Sequence, residues 1–191
     1  MRTAYLDQNR GFFNPTSLCL GVQGQAHLPC SLAIAPPADQ ALRQWGVQST
    51  LTPVKTDSNG FGFYLAKNYD DLIDHPIALG HFDVIEWEVF GTNHTMVIQG
   101  LSSEQSELLD TKRLADDLRN ICAETIRLFE PHKPKAPFSR YLFIVNAALE
   151  GYGGLEHRSS TVLLCKRDQL PYLDHDPKKP KKSYEEFLGL C

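Results

Sequence analysis

The sequence lacks the marks of several protein classes. It has no run of about 18 apolar residues, which argues against a membrane-spanning helix. Positive charge is not in excess, because 19 Lys and Arg are set against 23 Asp and Glu and the formal net charge is −4. This balance gives no reason to expect nucleic acid as a partner. The segment Met1–Asp7 lacks the apolar core of a signal peptide.

Paired cysteines are also missing. The five cysteines are widely spaced and none stands in a Cys-x-x-Cys pattern, which is typical of free thiols in a reducing compartment. We therefore predict a cytoplasmic protein. A disulfide between Cys19 and Cys30 across a hairpin is the less favoured alternative.

No histidine pair is spaced for zinc. A His-Glu-x-x-His helix places two ligands one turn apart with a water-activating glutamate between them, and none of the seven histidines has this spacing. The nearest cluster is His157 with Asp174, His175 and Asp176, whose spacing does not suit a metal site on one element. We expect no metal site and no catalytic residue in this chain.

The first hundred residues contain short strand patterns separated by Gly, Pro and Asn, at the spacing of a sandwich or curled sheet. In the clearest, Ile85, Trp87 and Val89 share one face, and Gly91 opens a turn into the next strand. Asn68–Asp74 predicts a short helical turn. The predicted strands are Ser17–Val22, Cys30–Ala35, Trp45–Leu51, Phe61–Ala66, Phe82–Phe90 and Thr95–Ile98.

The second half has a different pattern. Between Asp110 and Phe129, apolar residues recur at steps of three and four, which predicts an α-helix with Asp110 as its N-cap. The apolar positions are Leu114, Leu118, Ile121, Cys122, Thr125 and Phe129. Tyr141–Val145 predicts a buried strand and Arg158–Lys166 a second strand of the same sheet. We place the domain boundary near Leu101–Leu109, which divides the chain into 1–100 and 101–191.

The stretch from Gly151 to Arg158 has three glycines in four residues, followed by Glu-His-Arg. It predicts a loop that enters a strand with Glu156 at the strand's start. Such an element can present backbone groups and a carboxylate to an extended peptide. An ordinary glycine turn with solvated charges has the same composition.

The C-terminal segment predicts one more helix. Four lysines stand around two prolines at residues 177–182, and a solvated loop is favoured over an anion-binding patch. Ser183 and Glu186 then form a capping-box pattern. The apolar residues at helical spacing are Tyr184, Phe187, Leu188 and Cys191. Because so short a helix is marginal by itself, we expect the natural polypeptide to continue past Cys191.

Several strings resemble the glycyl aminopeptidase family of zinc metallopeptidases, which carries a C-terminal PDZ domain. In the second half they are Gly151-Tyr152-Gly153-Gly154-Leu155-Glu156-His157-Arg158-Ser159-Ser160-Thr161, Arg167-Asp168-x-Leu170-Pro171 and Tyr184-x-x-Phe187-Leu188-Gly189-Leu190-Cys191. In the first half they are Arg2-Thr3-Ala4-Tyr5-Leu6-Asp7, Arg10-Gly11-Phe12-Phe13-Asn14, Gly60-Phe61-Gly62-x-Tyr64 and Asp71-Leu72-Ile73-Asp74-His75-Pro76.

The resemblance implies an α+β fold. It would consist of a partial N-terminal β-sandwich-like domain over residues 1–100, then the first helix and sheet of a thermolysin-like catalytic domain. The implied substrates are peptides with N-terminal glycine or alanine. Zinc would be the cofactor of the parent enzyme, and the family's His-Glu-x-x-His helix is absent from this chain.

The resemblance also implies a substrate-binding segment. Gly153, Gly154, Leu155, Glu156 and His157 look like the Gly-x-Met-Glu-Asn segment of related zinc aminopeptidases. Glu156 would then hold the substrate's α-amino group through a charge-assisted hydrogen bond. His157 could contact the substrate or form a hydrogen bond within the sheet, and both interpretations stay open.

Two functional hypotheses follow. The chain is either a fragment of a zinc aminopeptidase that carries its peptide-binding strand, or a non-enzymatic β-rich binding or interaction protein descended from that family. On the first hypothesis incomplete sheets leave edges exposed, so we expect self-association through those edges. A compact monomer would favour the second hypothesis.

Overall fold

The computed structural model describes residues 4–174 and 182–191. The chain divides into two compact units. The first contains residues up to Phe82 together with Leu155–Ser160, and the second contains 83–154 and the residues from Thr161 onward. This division falls at a different place from the predicted domain boundary, because the strands within residues 83–99 pair with strands of the second unit.

The first unit is built from short strands in two antiparallel sheets. Its elements are β1 (Tyr5–Leu6), β2 (Arg10–Phe13), α1 (Pro15–Leu18), β3 (Cys30–Ile34), β4 (Gly46–Gln48), β5 (Thr52–Thr56), β6 (Gly62–Ala66), α2 (Tyr69–Ile73) and β7 (Ile77–Gly80). One sheet has the order β1-β2-β7-β4 and the other the order β3-β6-β5. The strands predicted at Cys30–Ala35 and Phe61–Ala66 and the short helix before Pro76 are confirmed.

The strand predicted at Ser17–Val22 is wrong. Residues Pro15–Leu18 form α1, because the Asn14 side chain accepts a hydrogen bond from the Thr16 backbone N–H at 3.2 Å, and proline is favourable in the first helical turn. The strand predicted at Trp45–Leu51 is also too long, since only Gly46–Gln48 is a strand. The apolar residues on either side of β4, Trp45 and Leu51, are buried in the core of this unit but are not part of the strand.

The second unit contains one five-stranded sheet and the longest helix of the described residues. Its elements are β8 (Asp83–Val89), β9 (Thr92–Gln99), α3 (Ser103–Leu108), α4 (Thr111–Phe129), β10 (Arg140–Ala148), the first two residues of β11 (Gly153–Glu156), all but the first residue of β12 (Ser160–Lys166) and α5 (Lys182–Leu188). The strand order is β11-β12-β10-β9-β8. β8 and β9 form the predicted hairpin, whereas β9 and β10 are parallel. A parallel pair needs a long crossover, which α3 and α4 supply.

The predicted long helix and its cap are confirmed. The Asp110 carboxylate accepts a hydrogen bond from the Arg113 backbone N–H at 3.0 Å, which satisfies one free donor of the first turn. Leu114, Leu118 and Cys122 are buried. Phe129, predicted on the same stripe, is 77% exposed because the helix ends there.

The C-terminal helix begins one residue earlier than its predicted cap. α5 starts at Lys182, so Ser183 lies inside the first turn, where its hydroxyl donates to the Asp168 carbonyl at 3.4 Å. Tyr184 and Phe187 are buried, as predicted. The α+β fold class is confirmed. None of the helices in the described residues combines the length and hydropathy needed to cross a membrane.

Candidate functional site at the end of strand β11

The predicted peptide-binding segment forms a separate edge strand. β11 covers Gly153–Glu156 and lies at the edge of the five-stranded sheet, next to β12. Glu156 is therefore the last residue of β11, and the prediction that it opens the following strand is wrong. Residues 157–159 make the turn between the two strands, because the His157 backbone N–H donates to the Ser160 carbonyl at 2.8 Å.

The glycines before Glu156 have separate structural reasons. Gly151 has a φ of +121°, and a Cβ there would lie 2.6 Å from Leu164 Cδ2, so a larger residue would clash. Gly153 has a φ of +152° but open space around it. The first glycine thus permits close packing of the connection on β12, whereas the second leaves the approach to the edge strand without a side chain.

Alternation divides the four predicted residues of β11 between two faces, and His157 follows in the turn. Successive strand residues point to opposite sides, and the burial of β11 follows this pattern. Gly154 and Glu156 are exposed, whereas Leu155 and His157 are partly buried and line a cavity of about 490 Å³. The Glu156 carboxylate is therefore available to solvent on the opposite side from the cavity.

Asp74 supports the turn that follows Glu156. Its Oδ1 lies 3.3 Å from His157 Nδ1, and its Oδ2 accepts a hydrogen bond from the Arg158 backbone N–H at 3.2 Å. The Arg158 guanidinium is more distant, with Nε at 3.8 Å from Oδ2, and its side chain is 72% exposed. One carboxylate thus holds two consecutive residues of the turn.

His157 is more buried than its position in a charged triplet suggests. Its side chain is 6% exposed. Because an ionised carboxylate can only accept hydrogen bonds, the contact with Asp74 places a proton on Nδ1. Nε2 is buried and has no hydrogen-bond partner among the described residues. The side chain is therefore bonded to Asp74, and its backbone N–H provides the hydrogen bond within the turn.

The cavity itself is mixed in character. Its remaining lining comes from the start of α1 and from α2: Asn14, Thr16, Asp70, Ile73 and Asp74, with Arg158 from the turn. Sequence reasoning assigned no role to Asp74, although the string Asp71-Leu72-Ile73-Asp74-His75-Pro76 was part of the resemblance. A carboxylate at the end of a predicted helical turn was the only available signal, and it does not identify a partner 83 residues away.

The second unit has a smaller, mainly apolar cavity of about 150 Å³ beside His94. The His94 ring stacks on Trp87 with centroids 5.6 Å apart, and its Nδ1 lies 3.0 Å from the Thr92 carbonyl oxygen. Burial lowers the pKa of His94 and raises the pKa of the neighbouring Cys122 thiol to about 11. A neutral imidazole and a protonated thiol suit a core position.

Comparisons with known proteins agree with this architecture. Residues 1–81 match the sequence model of the Peptidase M61 N-terminal domain. The structure is similar to the crystal structure of an aminopeptidase N family protein from Idiomarina loihiensis, with a TM-score of 0.88, 39% sequence identity and coverage of 99% of this chain. Both comparisons support an M61-like peptidase family.

The chain spans about 30% of the length of the Idiomarina loihiensis protein. No curated protein matches it significantly. The predicted resemblance to a peptidase family is thus confirmed at this coarse level, whereas the glycyl aminopeptidase specificity and the PDZ domain stay predictions. The family match over residues 1–81 coincides with the main segment of the first compact unit.

The donors around β11 do not form a metal-binding group among the residues that the structure describes. Within residues 4–174 and 182–191, no three His, Cys, Asp or Glu side chains form a group suited to a metal ion. His157 and Asp74 are bonded to each other. The cluster of His157 with Asp174, His175 and Asp176, which the sequence disfavours as a metal site, includes His175 and Asp176, and these lie outside the described residues. No catalytic step through a metal is assigned to these side chains.

Proposed function

We propose that this chain is part of a zinc-dependent aminopeptidase acting on peptides with N-terminal glycine or alanine, in which Glu156 binds the substrate's α-amino group. The observation that carries this proposal is the exposed Glu156 carboxylate at the end of the edge strand β11. In this proposal the zinc site belongs to another part of the natural polypeptide, and the chain alone binds no zinc and hydrolyses no peptide.

The position of Glu156 is suited to recognition of an amine. An ammonium group forms charge-assisted hydrogen bonds with a carboxylate, and no Lys, Arg or His side chain of the described residues forms an ion pair with Glu156. A carboxylate at a defined place would also set the distance from the amino group to the scissile bond. This selects peptides with a free N-terminus.

The edge of the sheet supplies the second requirement. An extended peptide can add to an exposed strand through main-chain hydrogen bonds, and β11 is the terminal strand of its sheet. Gly153 and Gly154 present no side chain that would block this approach. The predicted roles of Gly153, Gly154 and Glu156 as substrate-binding residues are therefore part of the proposal.

Leu155 and His157 have a different place in the proposal. They line the cavity on the opposite face, so their support of the peptide is indirect.

Five free thiols are also present, including Cys19 and Cys30. Free thiols agree with the cytoplasmic location that we propose.

The test uses the full natural polypeptide that contains these residues. We expect it to release glycine from a glycyl anilide in a zinc-dependent reaction. Glu156→Ala should lower kcat/KM, and the loss should correspond to about 2 to 5 kcal/mol of transition-state stabilisation. The loss should be smaller for the N-acetylated substrate, which has no ammonium group. Glu150→Ala, which removes another exposed carboxylate nearby, is the matched control and should have little effect.

Two results would contradict the proposal. Equal losses on free and acetylated substrates would make Glu156 structural. No peptidase activity and no zinc in the full polypeptide would favour the alternative, a non-enzymatic binding protein. For the 191-residue chain alone, stoichiometric zinc together with turnover would also overturn the proposed division of roles.

A further inference from the structure

We infer that Asp74 is a positioning residue for Glu156. The inference rests on the proposed function, because it concerns how the residue that binds the amino group is held in place. Asp74 bonds both residues that follow Glu156, through His157 Nδ1 at 3.3 Å and the Arg158 backbone N–H at 3.2 Å. All four residues belong to the first compact unit.

Glu156 needs support from its backbone. Its side chain is exposed and β11 has a neighbouring strand on one side only, so neither side-chain packing nor a second strand restrains it. Consecutive Cα atoms are about 3.8 Å apart. A restraint on His157 and Arg158 therefore acts within one or two residues of Glu156.

Asp74 is itself well restrained. It is the C-cap of α2, where its backbone N–H donates to the Asp71 carbonyl at 3.3 Å. The next residue, His75, contacts Thr50 Oγ1 through Nδ1 at 2.6 Å. Ile77 then begins β7 and is fully buried. The carboxylate thus extends from a segment that is fixed on both sides.

The contacts lie in a poorly solvated place. The His157 side chain is 6% exposed and that of Asp74 is 22% exposed. Hydrogen bonds to a charged group gain strength where water is largely excluded. The Asp70 carboxylate offers a useful contrast, because it lines the same cavity but is exposed and bonds neither His157 nor Arg158.

The first experiment measures the restraint without any assumption about activity. Amide hydrogen exchange of the 191-residue chain should show protection at Arg158, and Asp74→Ala should accelerate exchange there by about tenfold, the loss of one ordinary hydrogen bond. Asp74→Asn retains an acceptor and should recover part of the protection. Asp70→Ala should leave Arg158 unchanged. Unchanged Arg158 exchange in Asp74→Ala, with amides of β7 equally protected, would overturn the inference.

The second experiment links the restraint to Glu156. In the full polypeptide, Asp74→Ala should lower kcat/KM for a glycyl anilide by about tenfold, and should cause little further loss in a Glu156→Ala background, because coupled residues are not additive. Nitrogen NMR of the imidazole should show a proton on His157 Nδ1. In Asp74→Ala the imidazole should no longer be held in this single tautomer. Asp74→Asn should restore part of the activity.

The failures are distinguishable. If Glu156→Ala lowers activity but Asp74→Ala does not, the inference is wrong and the proposed function stands. If Asp74→Ala costs the same with and without Glu156, Asp74 is merely structural and the inference is again wrong. If Glu156→Ala has no effect, the proposed function fails and the positioning role falls with it, whatever hydrogen exchange shows for Arg158.

Discussion

The strands β10 and β11 belong to the same sheet but have opposite relations to solvent. β10 runs for nine residues, and its six residues from Leu142 to Ala147 are buried. β11 has four residues, no buried one among them, and one strand neighbour. The comparison shows how one sheet separates stability from recognition: the central strand forms the core, and the edge strand keeps backbone and carboxylate groups available.

The largest expected difference is in stability. Phe143 of β10 is 3% exposed and packs against Trp87, with ring centroids 5.6 Å apart. Phe143→Ala should lower the free energy of unfolding by about 3 to 5 kcal/mol, whereas Glu156→Ala in the same chain should change it by less than about 0.5 kcal/mol. Urea unfolding measures both. A cost for Glu156→Ala as large as that for Phe143→Ala would break the comparison.

The connection between the two strands should respond less strongly. Gly151→Ala places a Cβ 2.6 Å from Leu164 Cδ2 at a φ of +121°, so we expect a loss of about 1 to 3 kcal/mol from overpacking and strain. Gly154→Ala, at an exposed site on the edge strand, is the matched control and should stay within about 0.5 kcal/mol. Thermal and urea unfolding would decide. Equal stability of the two variants would contradict the packing argument.

The edge strand should also mediate self-association. We propose that the isolated chain forms a dimer or larger species at micromolar concentration, through the sheet near Glu156 or through the short C-terminal helix, because an exposed edge is a template for another strand. Gly154→Lys adds a charge at the edge and should raise the dimer Kd about tenfold, or about 1.4 kcal/mol. Sedimentation velocity is the measurement. A compact monomer at high concentration would refute this.

The smallest effect should be a pH dependence centred on His94, which is paired with Tyr141 of β10 in the sheet. Burial lowers its pKa below the ordinary value of 6.5. The unfolded chain therefore binds a proton at a higher pH than the folded one, so stability is fully present above about pH 6.5 and falls as pH drops toward the folded pKa.

The matched comparison for this effect is His94→Gln. The variant should lose that part of the pH dependence, whereas Glu156→Ala should keep it, because Glu156 is exposed. Urea unfolding at a series of pH values from neutral to acidic provides the measurement. If His94→Gln shows the same fall in stability as the unmodified chain, the buried imidazole is not its source.

Local sequence patterns were sufficient to predict a helix or strand where the element buries one face. Ile85, Trp87 and Val89 alternate along β8 as predicted, since a two-residue period is an intrinsic property of an extended chain. Leu114 and Leu118 are buried on α4 for the corresponding reason, the helical period. The N-cap at Asp110 was predictable because its hydrogen bond spans only three residues.

Local patterns failed where short segments could adopt either conformation. Ser17–Val22 has the composition of a strand, but the Asn14 cap and Pro15 begin a helix. The glycine-rich segment forms a strand of its own, β11, although glycine is unfavourable in strands. β11 forms because β12 offers a partner, and sequence spacing does not contain that information.

The sequence by itself determined the long capped helix and the buried strands, because periodicity and capping are local properties, whereas the α+β fold class and the choice of Gly153 to His157 came from its resemblance to a known family. Only the tertiary structure decided that Glu156 ends an edge strand and that Asp74 holds the turn after it. The second feature depends on contacts between residues more than 80 positions apart, and such contacts form only when the separate segments have packed together.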